Sequence, residues 1–166
     1  RDVTGVQTCA LPISELEDFD YEMRLQKGEF QICSRYNDVV QLTERYFESF
    51  VEFHDAQHPD VFWAGEKLLD AKDKFRIHIV TENEEVIGSV VTSRQTEEIY
   101  FISVAKHKQG LGYEKALLLQ AVQDAFENGG EELLAMVERG NLSEINLFKK
   151  LGFQVTDTCL TYKIRL

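Results

Sequence analysis

The residues best suited to chemistry stand in the run Val104-Ala-Lys-His-Lys-Gln-Gly-Leu-Gly-Tyr-Glu-Lys-Ala-Leu-Leu118. Gly110 and Gly112 carry no Cβ, so the backbone there can come close to a ligand. A helix opening near Tyr113 would aim its free N–H groups and the positive end of its dipole at an anion. Lys106, His107, Lys108 and Lys115 surround the turn. The combination describes a cradle for a phosphate-bearing ligand, with the amides of Gln109 to Tyr113 facing it.

Flanking elements support that reading. Glu98 to Val104 is rich in β-branched and aromatic residues and is predicted as a strand. Ala116, Leu117, Leu119, Ala121, Val122 and Phe126 form a helical stripe that ends at Asn128-Gly-Gly130. Further on, Leu133 to Val137 predicts a strand, and Asn141-Leu-Ser-Glu-Ile-Asn-Leu-Phe-Lys-Lys-Leu-Gly-Phe153 a short amphipathic helix. Asn141 or Ser143 can cap that helix and Gly152 can stop it.

These two runs resemble the GNAT N-acetyltransferases. The first is similar to the family's Gln/Arg-x-x-Gly-x-Gly/Ala loop after a strand ending in Val. Gln109 and Gly112 match it, and Glu114 stands where the family has a small residue. The second is similar to Asn-x-x-Ala-x-x-Leu-Tyr-x-Lys-Leu-Gly-Phe. A Rossmann fingerprint lacks its third glycine near Lys115, and a P-loop lacks its Gly-Lys-Ser/Thr.

The resemblance implies an α/β (α+β) domain: a mixed, mostly antiparallel twisted sheet with a splayed central strand pair and helices on both faces. It implies acetyl-CoA as co-substrate and direct attack of an amine on the thioester. Cofactor contacts carry over to Ile102, Ser103, Val104, Gln109, Gly110, Leu111, Gly112, Tyr113, Lys115, Asn141 and Phe148. A bulge near Ile102 to Val104 would release amides for the pantetheine and the carbonyl oxygen.

An ammonium acceptor must also lose a proton. Glu97, Glu98 and Tyr100 are the nearest candidates, and Glu98, acting through water, is preferred. Alternation places Glu98, Tyr100, Ile102 and Val104 on one face. The family's acid is a Tyr that protonates the departing thiolate, and here Phe148 holds that position. Three outcomes stay open: slower transfer, a substitute donor such as Tyr113 or Tyr162, or an acyl-CoA-binding module that no longer catalyses. Glu114 is expected to turn outward, away from a pyrophosphate. The segment His54 to Phe62 is similar to an acceptor-side segment of some members, so His54, Phe62 and Trp63 are candidates for the amine pocket. His54 and His58 have helical spacing, but Pro59 and the lack of a third ligand argue against a metal.

Residues 1–14 resemble a translated sequencing-library oligonucleotide and are read as a non-native tail, leaving 15–166 as one domain. A hydrophobic content of 43% supports a core, and no apolar run reaches the roughly 20 residues of a membrane span. Cys33 and Cys159 lie far apart, which points to a reducing, cytoplasmic setting. The net charge of −11 disfavours nucleic acid and would attract a cationic amine, small molecule or peptide. Monomer and homodimer are both compatible.

The remaining expectations concern the first half and the end of the chain. Phe30 to Cys33 is predicted as a strand, and Asp38 to about His54 as a helix through Val39, Val40, Leu42, Phe47, Phe50 and Val51. Glu66 to Lys72 is predicted helical. Phe75 to Val80 and Val86 to Thr92 are predicted as a hairpin. Phe153 to Val155 and Cys159 to Ile164 are read as a closing strand pair.

Overall fold

The computed structural model describes residues 14–30 and 38–164. Within them one sheet runs in the order β2-β3-β4-β5-β6-β1-β7. The strands are β1 (Ser14–Gln26), β2 (Val39–Gln41), β3 (Phe75–Glu82), β4 (Glu85–Ser93), β5 (Glu98–Val104), β6 (Glu132–Glu138) and β7 (Gln154–Ile164). Helices α1 (Phe47–Gln57) and α2 (Gly65–Asp70) pack on one face through Phe50 and Leu68. On the other face lie α3 (Tyr113–Glu127) and α4 (Leu142–Lys150), whose core residues include Leu117, Val122, Ile145 and Phe148. Every strand pairing is antiparallel except β5 with β6. The mixed, mostly antiparallel sheet with helices on both faces is the architecture expected from the sequence.

The hairpin β3–β4 turns at Asn83 and Glu84, whose φ angles of 51° and 68° are the left-handed pair of a tight two-residue loop. Behind it, Arg76 grips Glu97 through Nη1 at 2.5 Å and Nη2 at 2.9 Å. His78 Nε2 meets Asp124 Oδ2 at 2.9 Å, which fastens β3 to α3. The first of these ties holds the entry of β5, which starts one residue after Glu97.

Three local expectations change. The helix predicted from Asp38 begins only at Phe47, because Val39, Val40 and Gln41 pair with Val80, Ile79 and His78 as β2. Two adjacent β-branched residues suit a pleated strand better than a first helical turn. The closing pair of strands is one long β7, held along β1 through shifts in register. The strand β1 itself was not expected: its pairing starts at Ser14, the last residue of the segment read as a tail. The strand predicted over Phe30 to Cys33 falls, beyond Phe30, outside the described residues, as do residues 1–13.

Candidate active site

β5 and β6 pair only at Glu98 with Leu134 and Ile99 with Ala135, then part. On its other edge β5 stays paired with β4 up to Val104 opposite Gly88. Ala105 N–H donates to Ile87 O at 2.7 Å. Alternation along an antiparallel ladder therefore turns the amides of Ile102 and Val104 toward the gap. The Val104 carbonyl follows suit, since it accepts from Gln109 Nε2 at 3.2 Å rather than from β4. The expected splay is present, and it comes from the divergence of the two strands.

The bulge sits elsewhere than expected. Register shifts between Val91 and Thr92 leave Tyr100 as the extra residue of β5. One consequence is a break in alternation. Ile99, Ile102 and Val104 pack toward α3, whereas Tyr100 and Phe101 both join the cluster under α1 and α2. Tyr100 lies against Phe75 at 5.5 Å between ring centroids, away from the face first assigned to it.

An open cleft of about 720 Å³ occupies the gap, lined by Gln57, Ile102, Ser103, Val104, Gln109, Gly110, Gly112, Glu114, Lys115, Asn141, Ser143, Glu144, Asn146, Leu147 and Lys150. Its first wall is the loop into α3. Gly110 and Gly112 have φ of 77° and 92°, a region in which a side chain is strained. Among the described residues, the amides of Gly110 to Lys115 donate to no backbone carbonyl. Ala116 is the first to do so, to Gly112 O at 3.0 Å. Free amides at a helix N-terminus can receive an anion. Gln109 acts by pinning the loop to the end of β5. Leu111 is exposed, and Tyr113 packs its ring against the core. Lys108 is bound to Glu82 at 2.6 Å, so the cations at the cleft are Lys115 and Lys150.

The second wall is the start of α4. Asn141 caps it, accepting from Glu144 N–H at 3.1 Å and donating to Glu144 Oε2 at 2.7 Å. Burial, with Glu138 adding repulsion, pushes the Glu144 carboxyl up to about 6. Glu114, expected to face outward, lines the cleft as well. Phe148, carried over as a cofactor contact and as the position of the acid, is only 1% exposed and lies outside the cleft lining. Its ring stacks edge-on with Phe153 at 4.8 Å, because the apolar stripe of α4 points Ile145 and Phe148 into the core.

On the α1 side, desolvation and the Glu22 charge raise the Glu98 pKa. Glu22 itself is held low by Arg24 and Thr156, and Arg24 also binds Glu132. Glu97 is committed to Arg76. His54 is fully buried, with Nε2 on Trp63 O at 2.9 Å and its ring stacked on Phe50, so it supports the core rather than a pocket. Trp63 packs on Phe75 at 5.0 Å, while Phe62 is 71% exposed with Lys67 Nζ 4.2 Å from its ring centroid. His58, first considered only as a metal partner of His54, places Nε2 3.2 Å from Ser103 Oγ. Burial and the neighbouring His54 lower its pKa to about 4, so its ring is neutral at pH 7. Nothing in the local sequence joins residues 45 positions apart. The signal was indirect: a histidine at the end of a helix, and a serine in an otherwise apolar strand.

Comparison with known proteins agrees with this fold. The model of the acetyltransferase (GNAT) family matches residues 36–153. Mycothiol acetyltransferase of Saccharomonospora viridis is 33% identical over 69 residues, which are 42% of this chain and 22% of that protein. The enzyme of the same name from Corynebacterium jeikeium is 31% identical over 72 residues, 43% of this chain and 21% of the relative. The chain thus spans about a fifth of the length of these curated relatives. A GNAT-family acetyltransferase structure from Novosphingobium aromaticivorans superposes with a TM-score of 0.72 at 14% identity, over 94% of this chain and 72% of that one. The structure of AAC(6')-Iy with a bisubstrate analog, CoA-S-monomethyl-acetylneamine, gives a TM-score of 0.65 at 16% identity, over 78% of this chain and 98% of the other. Fold, loop and family model converge: the chain belongs to the GNAT acetyltransferase family, whose members draw on acyl-CoA.

Proposed function

We propose that this domain moves an acetyl group from acetyl-CoA to a primary amine by direct attack. The observation that carries the reading is the row of free amides from Gly110 to Lys115 beside the gap between β5 and β6. A diphosphate suits the first, and a narrow acyl-bearing arm suits the second. The glycines fit such a ligand: nothing lies within 4 Å of a Cβ built on Gly110 or Gly112, so the space before the loop is open. A neighbour of the same fold holds a CoA bisubstrate analog, which agrees with this use of the cleft.

In this reading the amides of Gly110, Gly112 and Tyr113 and the Lys115 side chain hold the diphosphate, and the amides of Ile102 and Val104 hold the acyl-bearing arm, with the Ser103 hydroxyl beside it. The amine enters from the α1 side. Glu98, whose raised pKa makes it a better base than an ordinary carboxylate, takes the first proton of the ammonium group through water. The chain charge of −11 favours a cationic acceptor, free or on a peptide.

A second reading is an acyl-CoA-binding domain with weak catalysis. It is favoured by Phe148, which is buried and has no hydroxyl, and by the carboxylates of Glu114 and Glu144 in the cleft. Thiol release across a panel of polyamines, amino-acid amines and peptide N-termini, set against calorimetric binding of acetyl-CoA, separates the two. Binding with turnover on at least one amine is expected. Binding with none would sink the transferase reading.

A further inference from the structure

The amine acetylation proposed above moves two protons, and Glu98 accounts for one. After attack the new nitrogen still carries a second, while the sulfur that leaves needs one. Phe148, buried against Phe153, supplies no acid. Tyr113 packs its ring against the core and is absent from the cleft lining. Ser103 does line the cleft, on the stretch of β5 that has parted from β6. Its hydroxyl faces His58 Nε2 at 3.2 Å, within the reach expected of a proton-transfer pair before substrate binds.

We infer that Ser103 and His58 form a relay that carries the second proton from the amine nitrogen to the departing sulfur. The His58 ring is set by its surroundings. It lies 4.8 Å from the Phe101 ring and 5.0 Å from that of His54, at the residue where α1 ends. The His54 ring is itself anchored on the Trp63 carbonyl. This apolar seat keeps the imidazole neutral, so in the tautomer protonated at Nδ1 its Nε2 is free to accept.

The steps balance. The nitrogen lone pair attacks the thioester carbon, and the carbonyl π pair moves to oxygen. The nitrogen then gives its proton to Ser103 Oγ as the hydrogen of that hydroxyl passes to His58 Nε2. When the carbonyl re-forms, the C–S bond breaks and sulfur keeps the pair. Ser103 protonates sulfur while His58 returns a proton to Oγ. Amine and thioester become amide and thiol, and both side chains end as they began. A thiolate, near ~8.5, is a stronger base than an imidazole, so the second transfer runs downhill, and the apolar seat that weakens the imidazole as a base makes the first transfer the uphill one.

The test compares kcat and acetyl-CoA affinity for Ser103→Ala, Ser103→Thr, His58→Asn and the Ala–Asn double variant. Ser103→Ala and His58→Asn should each lower kcat about 10²-fold while calorimetric affinity holds within about threefold. The double variant should be no slower than either single one, since members of one relay fail together. Ser103→Thr, which keeps a hydroxyl in a strand, should retain most of the rate. A Thr variant as slow as the Ala variant, or an Ala variant at full speed, overturns the relay. Loss of acetyl-CoA binding in Ser103→Ala overturns it too, by making Ser103 a cofactor contact alone. If the parent protein itself turns over no amine, the acetyl-transfer reading falls and takes the relay with it.

Discussion

The two walls of the cleft are made of different material. The wall leading into α3 is backbone: glycines at positive φ and unpaired amides, with Gln109 as the tether. The wall at the start of α4 is side chain: Asn141, Glu144, Leu147 and Lys150. Backbone donors depend on conformation and tolerate changes in neighbouring residue types. A side-chain wall changes its charge with every substitution. The resemblance in the first wall breaks only at Glu114, while in the second Glu144 stands where the resembled pattern has Ala; Phe148, where that pattern has Tyr, lies behind this wall in the core. Under the proposed function, anion binding rests on the first wall and is tuned by the second.

The comparison can be broken most directly at Gly112. A β-branched side chain at φ of 92° is strained by on the order of 1–3 kcal/mol and would displace the amides. Gly112→Val should weaken acetyl-CoA binding by roughly 10–100-fold in calorimetry, with little loss of helix content by circular dichroism. Unchanged affinity would remove the first wall from the site.

The core behind the second wall is tested next by Phe148→Tyr. Were this the acid position in space as well as in sequence, a hydroxyl there would raise the rate. Its burial argues otherwise. A hydroxyl left without a partner in the core should cost about 1–3 kcal/mol in denaturant unfolding, with no gain in kcat.

The smallest effect concerns Glu144. Because its pKa in the folded chain is raised to about 6, the ionised form is the disfavoured one. Its contribution to stability is therefore full below the ordinary carboxylate value and is lost as pH rises through about 6. The same sign governs binding, since the ionised carboxylate repels a polyanion. Glu144→Ala should tighten acetyl-CoA by roughly 3–10-fold at pH 8 and by little at pH 5. The difference between variant and parent is the quantity to measure, because a phosphomonoester also titrates near ~6. Equal tightening at both pH values would mean that Glu144 acts by bulk and not by charge.

How much of this was legible in the sequence depended on whether local and distant forces agreed. In β5 and α3 they did, and the predicted spans coincide with the folded ones, to one residue in the helix. The predicted helix across Val39 failed because its partner Val80 lies far away in the chain. β1 was readable in principle: Phe19, Tyr21, Met23 and Leu25 alternate with polar residues, but they follow a run that reads as a non-native tail. The glycine loop was found because a motif of amides is local by nature. The burial of Phe148, the bulge at Tyr100 and the contact between His58 and Ser103 arise from packing across the sheet, and no window of sequence contains them.

The parting of β5 from β6 has a mechanical consequence. Strands β2 to β5 form one plank and β6, β1 and β7 another, and among the described residues the ladder rivets them at only two rungs. Bending about that rivet costs fewer broken backbone bonds than bending anywhere else in the sheet. A molecule wedged between the planks acts as a strut, so an occupied gap stiffens the whole board rather than one edge of it.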